Sequence, residues 1–60
     1  MAERRLIGII DDNVQTAISI SEMVENAGFR TFQAYDEAKG IRMAKEQKPD
    51  LLLVDVKMEG

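Results

Sequence analysis

Apolar residues are concentrated in three runs, separated by two stretches in which they recur every three or four positions. The first run is Leu6-Ile7-Gly8-Ile9-Ile10 and the last is Leu51-Leu52-Leu53-Val54. No polar residue interrupts either, which is how a strand covered on both faces of a parallel sheet reads. The first strand is placed at 5–10, with Leu6 and Ile10 pointing one way and Ile7 and Ile9 the other. Gly8 leaves room within it for a helix to pack close, at a slight loss of strand stability. The middle run, 29–35, reads Phe-Arg-Thr-Phe-Gln-Ala-Tyr. It mixes polar with apolar positions, as suits a strand at a sheet edge, and its aromatics are candidates for the core.

The intervening stretches read as helices. Over 14–27, Val14, Ala17, Ile18, Val24 and Ala27 form the apolar stripe, with Ile20 and Met23 beside it, and Gly28 closes the helix in the left-handed conformation. Over 37–47, capped by Asp36, the stripe is thinner: Ala38, Ile41 and Ala44, widened by Met43. Gly40 inside that helix costs about 1 kcal/mol, so this helix is expected to be the less stable of the two. Pro49 prevents its continuation, and Lys45 and Lys48 sit near the negative end of its dipole.

The order is therefore βαβαβ, an α/β unit with a three-stranded parallel sheet. Crossovers between parallel strands are right-handed in nearly all cases. With the second strand on the edge, the strand order is 2-1-3 and one helix lies on each face. The chain reverses direction between strands 1 and 3, and such a switch point at the carboxyl ends of the strands is where ligands bind in open α/β sheets. Asp11 and Asp12 end the first strand and Asp55 ends the third, so all three are expected at its mouth. Strand 3 reads as central, yet its outer edge has no partner among the three strands. The expected cover is a missing half, a second copy or another protein.

Composition narrows what this crevice can hold. The chain has no Cys and no His, which removes disulfides, thiolate and imidazole metal ligands, and His-based acid–base catalysis. A metal site must use oxygen donors, which points to magnesium, manganese or calcium. Carboxylates held close repel one another, and a divalent cation relieves that repulsion. The structural alternative for Asp11-Asp12-Asn13 is a helix N-cap. One cap needs one residue, and Asn13 or Asp12 can fill it, leaving at least one carboxylate without a structural task. The net charge of −3 argues against direct contact with nucleic acid. No apolar run approaches the roughly 18 residues of a membrane span and no signal peptide is visible, so a cytoplasmic location is expected.

Ile9-Ile10-Asp11-Asp12-Asn13, then Gly28-Phe29, then Pro49-Asp50-Leu51-Leu52-Leu53-Val54-Asp55-Val56-Lys57-Met58 together resemble the N-terminal half of a two-component response-regulator receiver domain. Receivers are themselves a known case of the 2-1-3 strand order, so that order adds no independent support. The resemblance implies that Asp55 is the phosphoacceptor, taking a phosphoryl group from a histidine kinase or phosphotransfer protein. It implies that Mg2+ is bound by Asp12, Asp55 and the Lys57 backbone carbonyl, with Asp11 acting through a water. It implies a signalling module rather than an enzyme. Met58 matches the family's hydrophobic loop residue, while Glu59 stands where Pro is common. A whole receiver carries about as much sequence again, two more strands and three more helices, with a Ser or Thr and a Lys that complete the switch. Residues 1–60 are thus expected to be an incomplete receiver, impaired in phosphorylation, or a half-domain that dimerises.

The alternative is a non-catalytic half-flavodoxin unit whose role is self-assembly. A nucleotide-binding enzyme is disfavoured because acids, rather than a Gly-rich loop, follow strand 1. A phosphohydrolase with an Asp nucleophile is disfavoured because Asp11 and Asp12 are adjacent, where such sites usually show separated acids.

Overall fold

Strands and helices alternate as β1 (Leu6–Ile10), α1 (Val14–Asn26), β2 (Arg30–Ala34), α2 (Glu37–Gln47) and β3 (Leu51–Val54). The computed structural model describes residues 4–55. The strands are parallel in the order β2-β1-β3, as the polar character of β2 and the apolar character of β1 require. Ile10 of β1 lies level with Ala34 on one side and Val54 on the other. The residues that follow Ile10 and Val54 therefore leave the sheet side by side.

Every residue of β1 is buried. On one face Ile7 and Ile9 pack with Ala17 of α1, and Ile20, Val24 and Phe29 close around them. On the other face α2 approaches so closely that a Cβ at Gly40 would stand 2.6 Å from Ile10 Cγ1. Gly40 is thus the point of contact between α2 and β1, and the close approach requires a residue without a Cβ there despite its weak helix propensity.

Several positions differ from the pattern-based expectation. The buried line of α1 is Ala17 and Ser21, with Ile20 and Val24 half-buried, while Val14, Ile18 and Met23 are exposed. Residues 17, 21 and 24 are spaced to face one side of a helix; Val14 and Ile18 lie about 60–100° around from them. The polar residue at 21 displaced the apparent stripe onto that flank. In α2 the stripe likewise centres on Gly40, with Met43 and Ala44 half-buried and Ile41 exposed. Gly8 makes room not for a helix but for the neighbouring strands, since a Cβ there would meet the Phe32 ring and Leu52 Cδ1 at 2.7 Å. Of the aromatics, Phe32 is buried and Phe29 half-buried, while Tyr35 is exposed and donates its hydroxyl to Gln33 Oε1 at 2.8 Å.

β3 does not have the cover its composition calls for. Leu51, Leu53 and Val54 are 54%, 37% and 48% exposed. The helices lie mainly over β1 and β2, and among the described residues β1 alone flanks β3. The strand is nevertheless firmly registered. The Asp50 N–H donates to the Leu6 carbonyl at 2.8 Å, and the Asp50 carboxylate accepts the Leu6 N–H at 2.9 Å.

Caps define both helices. Asn13 Oδ1 accepts from Thr16 N at 3.0 Å and Asp36 Oδ1 from Lys39 N at 2.7 Å, each satisfying one of the free donors of a first turn. Gly28, at φ 103, leads the chain out of α1 in the left-handed region, as expected. Lys48 does the same for α2 at φ 51, a conformation that is strained for a residue with a Cβ. Among the described residues no helix is long and apolar enough to cross a membrane.

Candidate metal centre

The acidic site is built where β1 and β3 run out of the sheet. The Asp11 N–H donates to the Ala34 carbonyl at 3.0 Å, and the Asp55 N–H donates to the Ile10 carbonyl at 3.0 Å. Each bond continues a strand ladder by one residue. The backbones of Asp11 and Asp55 are therefore held as rigidly as the strands they end. Asp12 belongs to the short loop into α1.

Asp11, Asp12 and Asp55 converge. One carboxylate oxygen from each lies within 4.8 Å of the others. Their environments are graded: Asp11 is buried at 6% exposure, Asp55 is half-buried and Asp12 is exposed. Asp11 Oδ1 accepts the Asn13 N–H at 2.9 Å. An open cavity of about 390 Å³ is lined by the three acids together with Asn13 and Thr16. Because Asn13 supplies the cap of α1, the cap does not account for either carboxylate.

The donor set fits a hard cation. In an octahedron with metal–oxygen bonds of about 2.1 Å, neighbouring oxygens are about 3.0 Å apart and opposite ones about 4.2 Å. A separation of at most 4.8 Å is close to that range, so the three carboxylates can serve one ion, directly or through a bound water. All three donors are carboxylate oxygens, which suits Mg2+ over softer metals. Of the residues expected at the site, Asp11, Asp12 and Asp55 are brought together. Lys57, whose backbone carbonyl was the fourth expected ligand, lies outside the described residues, as do Met58 and Glu59.

Asn13 carries a task beyond capping that the sequence pattern did not reveal. Asn13 was legible as a cap, but not as the donor to Asp11. The signal was there in the spacing: an Asp two residues ahead of a backbone N–H forms an Asx-turn. Thr16, on the cavity rim, carries no such signal.

The response regulator receiver domain family matches residues 7–60 of the chain. Sporulation initiation phosphotransferase F of Bacillus subtilis is 33% identical over 52 residues, covering 87% of this chain and 42% of the relative. Protein PilH of Pseudomonas aeruginosa is 31% identical over 52 residues, covering 87% of this chain and 43% of the relative. The chain thus spans less than half the length of these two curated relatives. No solved structure matches it significantly.

Proposed function

The chain belongs to the response regulator receiver domain family, a two-component signalling module, and from that premise we propose that Asp55 accepts a phosphoryl group from a histidine kinase or phosphotransfer protein. The observation that carries this reading is the convergence of one oxygen each from Asp11, Asp12 and Asp55 within 4.8 Å. Asp55 is half-buried at the end of β3, so its carboxylate is aimed by the sheet yet open to a donor. In the transfer, an Asp55 oxygen forms a bond to phosphorus as the phosphorus–nitrogen bond of a phosphohistidine breaks, and the imidazole leaves with the electron pair. Mg2+, when bound, neutralises charge on the transferring phosphoryl oxygens. Asp12 and Asp55 would hold it directly and Asp11 through a water. The Lys57 carbonyl completes the proposed set. Asp11, buried and held by the Asn13 N–H, acts as the fixed rear wall of the site. The module is a phosphoacceptor and not itself an enzyme.

Titrating Mg2+ into the labelled chain tests this reading. The amides of residues 11, 12 and 55 are expected to shift in a saturable way, and Asp12→Asn or Asp55→Asn to abolish or strongly weaken the response. Incubation with an acyl phosphate should then add one phosphoryl group by intact mass to the unsubstituted chain and none to D55N. A flat Mg2+ titration, or equal labelling of D55N, would sink the proposal.

The exposure of Leu51, Leu53 and Val54 on β3 favours a second reading, in which the unit's task is self-assembly through this strand. Apolar residues on both faces of an edge strand invite pairing with another chain. Sedimentation with and without Mg2+ separates the two. A dimer indifferent to Mg2+ supports assembly, and a monomer that binds Mg2+ supports the phosphoacceptor.

A further inference from the structure

We infer that Asn13 is a positioning residue of the acidic site: by capping α1 it holds its own backbone N–H against Asp11, and so sets the orientation of that buried carboxylate within the cluster. The inference rests on the reading of Asp11, Asp12 and Asp55 as a Mg2+ site.

Asn13 is fixed at three atoms. Its side-chain Oδ1 accepts from Thr16 N at 3.0 Å, its carbonyl accepts from Ala17 N at 3.0 Å, and its N–H donates to Asp11 Oδ1 at 2.9 Å. The two helix-side bonds hold residue 13 in the extended conformation, φ −88 and ψ 108. From there its N–H points back along the chain. Asp11 is held from the other direction by the bond of its own N–H to Ala34. The residue is thus clamped between the sheet and the helix terminus, with Oδ1 occupied by the Asn13 N–H while the carboxylate takes its place in the cluster. Removing the Asn13 side chain leaves the carbonyl bond but lets residue 13 turn, and the Asp11 oxygen loses a fixed donor. Groups that orient a metal's direct ligands commonly change affinity by about 10–100-fold when removed; because Asp11 acts through a water, the lower end of that range is the expectation here.

The second helix supplies a matched comparison. Asp36 caps α2 with the same bond, to Lys39 N at 2.7 Å. Two residues ahead of it stands Ala34, so its cap has no carboxylate to hold. A role limited to helix stability predicts that losing either cap acts alike on the metal site. Positioning predicts that only the cap at 13 matters.

The experiment measures Mg2+ dissociation constants from the amide shifts of residues 11, 12 and 55 in the full chain, alongside urea stability without metal. Asn13→Ala is expected to weaken Mg2+ binding by about tenfold, the lower end of the range for such orienting groups. Asn13→Gly should weaken it similarly, although Gly is nearly as good a cap for stability; this variant carries the test if Asn13→Ala does not fold. Asn13→Ser, which restores an oxygen at the cap, should bind within about threefold of the unsubstituted chain. Asp36→Ala should lose stability while keeping its Mg2+ affinity. Unsubstituted affinity in both Asn13→Ala and Asn13→Gly overturns the inference alone. Absence of Mg2+ binding by the unsubstituted chain overturns it together with the reading beneath it.

Discussion

Ser21 sits at the centre of the α1 face that meets the sheet, 2% exposed, and its hydroxyl has no hydrogen-bond partner among the described residues. A hydroxyl removed from water without a replacement bond costs about 1–3 kcal/mol. Replacing it by Ala removes that penalty and adds a few tenths of a kcal/mol, roughly 0.5, from helix propensity. Against this stand the few dispersion contacts of one oxygen atom, each about 0.1–0.2 kcal/mol. Ser21→Ala is therefore expected to stabilise the fold by about 1–2 kcal/mol. For a domain of this size total stability is of the order of 3–9 kcal/mol, so the gain is a large fraction of the whole. With a urea m-value near the low end, about 1 kcal/mol/M, the midpoint should move up by about 1–2 M at unchanged m. The melting temperature should rise by about 5–15 °C. Mg2+ affinity should not change, because the acidic site is built from the strand ends and the loop before the helix. A destabilised Ser21→Ala would refute the reasoning, because it would mean that the hydroxyl bonds to something in solution, a water or a carbonyl of its own helix. A change in Mg2+ affinity would refute the separation of core from site.

Two further substitutions test how the sheet delivers the acids. Asp50→Ala removes the carboxylate that accepts the Leu6 N–H and should destabilise by about 1–3 kcal/mol, with faster amide exchange at Leu6; Asp50→Asn, which keeps an acceptor, should lose much less. Gly40→Ala sets a helix gain of about 1 kcal/mol against overpacking of about 1–3 kcal/mol. Because Ile10 is 1% exposed and is crowded at Cγ1 and Cγ2 as well as at its terminal methyl, the steric loss is expected to win by about 1 kcal/mol. The displaced strand end should also perturb the Asp11 amide. A neutral or stabilised Gly40→Ala with an unmoved Asp11 amide would show that α2 can simply rise off the sheet.

What could be read from pattern was decided by the backbone. Uninterrupted apolar runs at 6–10 and 51–54, a mixed run between them and caps at Asp12 or Asn13 and at Asp36 are enough to derive βαβαβ, the order β2-β1-β3 and the level ends of β1 and β3. The buried faces were less legible, for a reason specific to each helix. In α1 a serine occupies the middle of the inward line, so apolar periodicity found Ala17 and Val24 of the packed face but also took in Val14 and Ile18 on the flank. In α2 the inward line centres on Gly40, which contributes nothing to a hydrophobic count and is read as a defect until its contact with Ile10 is seen. Close packing between backbones selects small residues, and small residues are silent in a hydrophobicity pattern. The apolar character of β3 is a different case. The pattern is that of a covered strand, yet among residues 4–55 nothing covers its outer edge and three of its four residues are exposed.

For the site the division runs between side chains and hydrogen bonds. Three acids at two strand ends are visible as residue types, and parallel register alone suffices to bring Asp11 and Asp55 together, because Ile10 and Val54 are paired. Which acid is buried, which is exposed and what orients them depends on main-chain donors and acceptors, which side-chain chemistry alone does not announce. The Asn13 N–H on Asp11 and the Ile10 carbonyl beneath Asp55 are both main-chain groups. It follows that substitutions of the acids themselves test only whether the charge is needed. Substitutions that move the backbone behind them, at 13, 40 and 50, test whether their placement is. If binding tracked charge alone and ignored those three positions, the acidic cluster would be a diffuse counter-ion attractor, and the rigid strand ends would have no part in it.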